Sequence, residues 1–310
     1  MICTVTLNPA LDKTVEIPNL TIDGVNRITT MRTDPGGKGI NVSKVIDKLG
    51  GRSVAMGILG GNTGNAIRSA LEAMGLETDF RFVEGETRTN LKVIDPVNHT
   101  NTDINEPGVT LSEGLLEDFL AQAAGRLTAG DIVVLSGSLP KGAPRNTYFT
   151  WVKTCREAGA KVILDADGEL LAEGLKASPY LIKPNNHELS GLLGKPLETT
   201  GDLEQAARDL MNRYGIARVV VSMGGDGALY VTGKETIYAE GLKVPVGSTV
   251  GAGDSVVAAL AVAEERGMGL EETVRLSTAT GAANVMCSGT QAAEYEVIQS
   301  LLPRVVFHRL

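Results

Sequence analysis

Short apolar runs at residues 131–135, 161–164 and 218–221 constrain the fold more than any other feature of the sequence. Each is rich in Val, Ile and Leu and free of Gly and Pro, the pattern of strands buried on both faces. Stretches of helical period, 147–158 and 202–214, lie between them. Such alternation implies a mostly parallel sheet with helices on both sides, a three-layer α/β/α arrangement. Further strands are expected at 2–7, ended by Asn8-Pro9, and at 53–59, with a hairpin at 227–232 and 236–240. Helices are expected at 40–49, from the turn at 60–64 to about Met74, and at 252–266, 270–287 and 293–302.

Residues 13–18, 25–33, 87–95 and 100–105 do not fit that alternation. Polar residues recur within them, which suits a small sheet with one wet face outside the main layer. The sequence contains no repeat, low-complexity tract or linker. A single domain over residues 1–310 is therefore expected, with β lid segments at 11–33 and 87–106.

Composition narrows the function classes. Hydrophobic residues make up 43% of the chain, enough to fill a core. No apolar run approaches the roughly 20 residues needed to span a bilayer. The N-terminal residues lack a basic stretch followed by an apolar one, so no signal peptide is expected. Cys3, Cys155 and Cys287 stand far apart with no CxxC pair, which predicts a reducing, cytoplasmic setting rather than a disulfide framework or a thiolate zinc site. A net charge of -8 disfavours nucleic acid and membrane surfaces as partners. An anionic small molecule would have to be held by a few local cations against the overall field.

Residues 248–254 read Ser-Thr-Val-Gly-Ala-Gly-Asp, and a run almost free of polar residues follows at 255–263. A small-residue loop opening a buried helix aims free N–H groups and the positive helix end at one point, which suits an anion. Asp254 does not belong against the same anion. It either caps the helix or acts on something beside the anion, and the loop alone leaves the two even. No P-loop pattern exists, and Val42 and Val256 stand where a dinucleotide fingerprint needs a small residue. The other glycine-rich stretches, 36–39, 60–64 and 224–227, include several that follow expected strands, on the edge where open α/β sheets bind ligands. Ser136 to Ser138 lacks the Gly-x-Ser-x-Gly of a nucleophilic hydrolase.

The run from Gly37 through Lys38, Gly39, Ile40, Asn41 and Val42 to Ser43 resembles the N-terminal signature of the ribokinase-like (PfkB) sugar kinases. Residues 248–254 resemble their C-terminal signature. Asn185 to Glu188 is similar to the family's Asn-x-x-Glu motif, and Ser222 to Gly227 to its nucleotide loop. These motifs occur in family order over nearly the whole chain. Residues 6–12, 36–41 and 136–140 resemble the phosphosugar branch, and 87–90 with 105–108 its members acting on fructose 1-phosphate.

The resemblance implies a ribokinase-like fold and transfer of the ATP γ-phosphate to a primary hydroxyl of a ketohexose phosphate. Fructose 1-phosphate, giving fructose 1,6-bisphosphate, is the first expectation; tagatose 6-phosphate and fructose 6-phosphate follow. A sugar-phosphate sensor without turnover on the same fold is the alternative from another class. By resemblance, the N–H groups of Gly251, Ala252 and Gly253 form the anion hole and Asp254 takes the hydroxyl proton. An ordinary Asp, with a pKa near 3.9, is a weak base for that task. Lys38, Arg27 and Arg88 would hold the phosphate already on the sugar. Asp12, Gly37, Asn41 and Ser138 would line the sugar site, with a turn open for Asp12 and a helix cap for Asn41. Lys183, Ser222, Gly224 and Gly227 would face ATP, and Asn284 its adenine. Asn185 and Glu188 would reach a magnesium shell through waters, though Asn185 could equally cap a helix. His187 is not read as a ligand, since magnesium prefers oxygen. Ser248-Thr249 stands where many relatives carry Asp-Thr, which leaves a monovalent cation open. Relatives pair through their lids, so a homodimer through the lid is expected.

Overall fold

The computed structural model describes residues 1–112 and 114–310. In chain order its strands are β1 (Ile2–Thr6), β2 (Ala10–Glu16), β3 (Thr30–Gly36), β4 (Ser53–Gly60), β5 (Glu77–Val83), β6 (Arg88–Asp95), β7 (Thr100–Asn105), β8 (Ile132–Ser136), β9 (Lys161–Asp165), β10 (Leu181–Ile182), β11 (Arg218–Ser222), β12 (Ala228–Thr232), β13 (Thr236–Ala239) and β14 (Phe307–Arg309). The helices are α1 (Lys38–Lys48), α2 (Gly61–Ala73), α3 (Leu115–Ala124), α4 (Thr147–Glu157), α5 (Gly168–Leu175), α6 (Asn186–Leu193), α7 (Thr200–Tyr214), α8 (Ala252–Glu265), α9 (Leu270–Val285) and α10 (Tyr295–Leu301).

Among the described residues a 10-stranded sheet runs β14-β13-β12-β11-β10-β9-β8-β1-β4-β5. It is parallel from β11 to β5 and antiparallel from β12 to β14. The expected α/β/α layering is present. One face of the sheet packs around Tyr148 and Trp151, the other around α8 and α9. Burying each such aromatic contributes on the order of 1.5–3 kcal/mol. Helix α8 is apolar nearly all round because it lies between the sheet, α1 and α9. No helix among the described residues is long and apolar enough to cross a membrane.

A second, 4-stranded sheet, β3-β2-β6-β7, forms the lid. Its first two strands differ from the expected 13–18 and 25–33 and lie at Ala10–Glu16 and Thr30–Gly36. Residues between them form a loop because Asn19 and Asp23 take positive φ (55° and 61°). The buried Asp95 carboxylate then accepts from the Asn19 and Leu20 amides at 3.0 and 2.8 Å. The edge strand β5, the two-residue β10, the terminal β14 and the short helices α3, α5 and α6 were not legible as elements. Strand β5 alternates charged and aromatic residues, and β10, β14, α5 and α6 are too short to show a period, but α3 carries a helical stripe, Leu116, Phe119, Leu120 and Ala123, that was missed.

Strands β1, β8 and β9 end together at Thr6, Ser136 and Asp165, since Val5 pairs with Leu135 and Ser136 with Asp165. The lid leaves the main layer just beyond β1, through Leu7 to Pro9. A cavity opens where these strand ends meet the lid, the place where open α/β sheets bind ligands.

Candidate active site

Gly251, the N-cap of α8, takes φ 82° with no side-chain cap and lines the cavity, so the helix start borders it; the Ala252 amide makes only a long bond, 3.4 Å, to the Thr249 carbonyl. Behind the loop, Asn284 Nδ2 donates to the Val250 carbonyl at 3.3 Å. A Cβ on Gly251 would stand 3.3 Å from that nitrogen. Asn284 is 2% exposed, so it braces the loop rather than offering an edge to adenine.

Asp254 sits on the first turn of α8 and makes no cap bond. Its Oδ2 accepts from Asn41 Nδ2 at 2.9 Å. Asn41 therefore orients the carboxylate; its own Oδ1 is buried without a partner. Burial raises the Asp254 pKa to about 6, with Asp165 adding to the rise and Asn41, Lys38 and Lys183 opposing it. The expectation of an ordinary, weakly basic Asp is thus corrected: desolvation makes it a better proton acceptor.

The cavity measures about 460 Å³. From the main layer it is walled by Gly37, Lys38, Asn41, Ser138, Gly251 and Asp254. Gly37 is required, because at φ 112° a Cβ would come within 2.6 Å of Thr6 Cγ2. Ser138 Oγ accepts from Asn8 Nδ2 at 3.3 Å. The lid contributes Asp12 and Thr14 from β2, and Arg88, Asn90 and Lys92 from β6. The parallel register Ala10↔Arg88, Asp12↔Asn90, Thr14↔Lys92 puts alternate residues of both strands on the cavity face. Asn90 Nδ2 donates to Asp12 Oδ1 at 3.0 Å. Arg88 is fixed by its Nη2, which donates to the Asn8 carbonyl at 2.9 Å. Arg27 is not among the lining residues; it lies exposed in the loop between β2 and β3. Lys92 was missed because its cavity-facing position follows from strand pairing.

Asp165 was also missed. It is 3% exposed and stands 3.4 Å from both Lys38 Nζ (from Oδ2) and Lys183 Nζ (from Oδ1). Burial alone would raise its pKa, but Lys183 and Lys38 outweigh burial and hold it below the usual carboxylate range. Lys38 opens into the cavity, whereas Lys183 lies beside the anion loop, 3.4 Å from where a Gly253 Cβ would be. A carboxylate ending a buried parallel strand was the only available signal.

On the far side of Lys183, Asn185 and Glu188 form a capping box. Asn185 Oδ1 accepts from the Glu188 amide and Glu188 Oε2 from the Asn185 amide, both at 2.8 Å. The cap reading of Asn185 is therefore realised. Glu188 Oε1 makes no intramolecular bond in this box, and one such carboxylate oxygen fits magnesium shared with phosphates better than an all-protein cage. Ser222 bridges to Asn185, and Gly224 follows at φ 58°. Gly227 serves packing, since a Cβ there would meet the Ala239 carbonyl at 2.0 Å.

Residues 6–296 match the model of the pfkB family carbohydrate kinases. The 1-phosphofructokinase of Bacillus subtilis (strain 168) is 38% identical over 310 residues, covering 100% of both chains. The crystal structure of phosphofructokinase-2 from Escherichia coli in complex with potassium superposes with a TM-score of 0.93 at 33% identity, covering 98% of each chain. The tetrameric inhibited form of that enzyme gives 0.91 at 32% identity and the same coverage. A buried carboxylate between an uncapped helix start and a cation-lined cavity is what a phosphotransferase acting on an alcohol needs, and the chain belongs to the pfkB family of carbohydrate kinases.

Proposed function

We propose that the protein transfers the γ-phosphate of ATP to the free primary hydroxyl of fructose 1-phosphate, giving fructose 1,6-bisphosphate and ADP. The observation that carries this reading is Asp254, held by Asn41 between the anion loop and a cavity lined by Lys38, Arg88 and Lys92. The three cations hold the phosphate already on the sugar, with Arg88 suited to bidentate contact. Asp12, Asn90 and Ser138 meet sugar hydroxyls. The sugar hydroxyl oxygen attacks the γ-phosphorus, its proton passes to Asp254 Oδ, and the bond from the γ-phosphorus to the bridging oxygen of ADP breaks. The amides at residues 251–253 and Lys183 receive the charge of the transferring group. Glu188 and Asn185 would hold magnesium through waters, and the ion would supply charge neutralisation on the ATP phosphates. Ser248 carries no charge and its Oγ accepts from the Val250 amide at 3.2 Å; rates compared in potassium and sodium buffers test whether a monovalent cation is used.

Initial rates with fructose 1-phosphate, tagatose 6-phosphate and fructose 6-phosphate test the assignment. A higher kcat/KM for either competitor transfers it to that sugar, and no turnover with any of them leaves a sensor. Arg88→Ala should raise KM for the preferred sugar phosphate by about tenfold or more.

The exposed apolar residues Ile22, Val25, Ile28, Met31 and Ile104 lie on the lid and its loop. We read this as a lid-to-lid homodimer surface, across which Arg27 could reach the partner's cavity. A monomer by sedimentation at micromolar concentration would remove this pairing. Phosphorylated sugar and ATP as substrates, with three free cysteines, suit the cytoplasm.

A further inference from the structure

One turn along α1 from Asn41, Lys44 is 9% exposed. Its Nζ donates to the Pro35 carbonyl at 2.9 Å and to the Thr290 carbonyl at 3.1 Å. Among the described residues no carboxylate stands within ion-pair distance of it. A buried ammonium bound only to carbonyls is costly unless its geometry is used.

The two carbonyls belong to walls of the site that otherwise lie apart. Pro35 is in the last turn of lid strand β3, just ahead of Gly37. Thr290 borders the anion loop, its Cα 3.9 Å from where a Gly251 Cβ would be. Behind Lys44 lies a cavity of about 550 Å³, bordered by Asp34, Pro35, Cys287, Gln291 and Ala292. Side-chain packing therefore does not clamp the lid end against the 287–292 loop. A second tether runs outside it: Arg32 Nη2 donates to the Ser288 carbonyl at 3.0 Å while Asp34 Oδ2 holds Arg32 Nε at 2.7 Å. The loop continues to the anion hole through the Gly247 and Ser248 amides, which donate to the Val285 carbonyl at 2.8 and 3.1 Å.

We propose that Lys44 is a positioning residue that couples the lid to the anion loop, so that gripping the sugar phosphate orders the loop for the nucleotide. Linkage makes the effect reciprocal: bound nucleotide strengthens the lid's hold on the sugar phosphate by the same factor. The kinase reading enters only in the choice of the two ligands. Lys44→Met keeps most of the side-chain length and removes both hydrogen bonds. Lys44→Arg can restore them.

Calorimetric titration with a non-hydrolysable ATP analogue and magnesium, with and without the sugar phosphate turned over fastest, measures the coupling. In the wild type each ligand should strengthen the other by about fivefold or more. In Lys44→Met the factor should fall to about one with binary affinities kept within about threefold, and Lys44→Arg should recover most of it. A folded Lys44→Met with wild-type coupling overturns the proposal, and so does a wild type without coupling. Should Lys44→Met not fold, Arg32→Met leaves the buried site intact. It should lower the factor in part, and full coupling there counts against the proposal. Failure of the kinase reading appears differently, in the wild type alone, as absence of turnover.

Discussion

Strand β9 carries an ion cluster built on a buried carboxylate at each end, and the two ends have different fates. At its start, Lys161 Nζ donates to Glu264 Oε1 at 2.9 Å, the Tyr180 hydroxyl donates to the same oxygen at 2.8 Å, and Arg218 stands 3.2 Å from Oε2. Both cations also lie over the Tyr180 ring, at 5.0 and 6.0 Å. At its finish, Asp165 holds Lys38 and Lys183, each at 3.4 Å. Each cluster is one carboxylate with two cations. The space beside Arg218 is about 10 Å³, whereas Lys38 faces about 460 Å³. The smaller figure holds at most about one water. Lys161 is 41% exposed and Lys38 36%, so exposure does not separate the two ends. What differs is that Lys38 lines a cavity of ligand size, whereas Lys161 and Arg218 lie over the Tyr180 ring and brace the sheet.

The largest test lies at the open end. Asp254→Asn should lower kcat by ~10²–10⁴-fold with KM largely kept. Because the Asp254 carboxyl is raised to about 6 in the free protein, wild-type kcat/KM should fall on the acid side of that pH, where the base is protonated. The same shift has a stability cost of opposite pH sense. The folded protein binds the proton more tightly than the unfolded chain, so stability falls as pH rises from about 4 to about 6. Asp254→Asn removes a penalty on the order of 3 kcal/mol at neutral pH. It should melt higher than wild type at pH 7 and not at pH 4, and equal melting at both would show the carboxylate to be solvated.

Lys38→Met should raise KM for the sugar phosphate by about 10–100-fold, the loss of one charge-assisted contact. An unchanged KM would make the open cluster as inert as the closed one. Asp165→Asn strands two cations and should destabilise by about 3–5 kcal/mol, read as a lower Tm. In the surviving enzyme the acid limb of kcat/KM should move to lower pH, since Asp165 raises the Asp254 pKa. A limb that stays in place would mean that Asp165 acts through shape alone. Glu264→Gln sets the smallest kinetic effect: about 1–3 kcal/mol of stability lost with kcat and KM unchanged. Altered kinetics well below its Tm would break the comparison.

Much of this was legible in the sequence. The parallel core announced itself through short apolar runs, and the anion loop at 251–253 through its small residues at a helix start; Gly37, Lys38, Asn41 and the role of Asp254 were legible only through the family resemblance. Other features depend on which strands become neighbours. Lys92 reaches the cavity only because β2 pairs in parallel with β6, and Asp165 meets Lys38 only because β9 and β1 end at one level. The raised Asp254 pKa reflects burial under the lid, which no spacing encodes. Asn185 had two readings and Asn284 one, at adenine, and their observed bonds are set by how α6 and α9 meet neighbouring loops. Arg27 fell outside the cavity because Asn19 and Asp23 turn its segment into a loop.

Lys38, Asn41 and Lys44 follow one another at three-residue intervals along α1, turning by about 60° at each step. One rigid rod therefore delivers the cavity-lining cation Lys38, the amide that orients Asp254 and the Lys44 ammonium. Inserting or deleting a single residue within it would rotate everything downstream by about 100°. The exposed tip of the β2–β3 loop, residues 21–25, can change length more freely than its anchored start at Ile17–Leu20, whereas residues 38–44 have a fixed count. Natural variants of this chain should differ in length at that tip and never within residues 38–44.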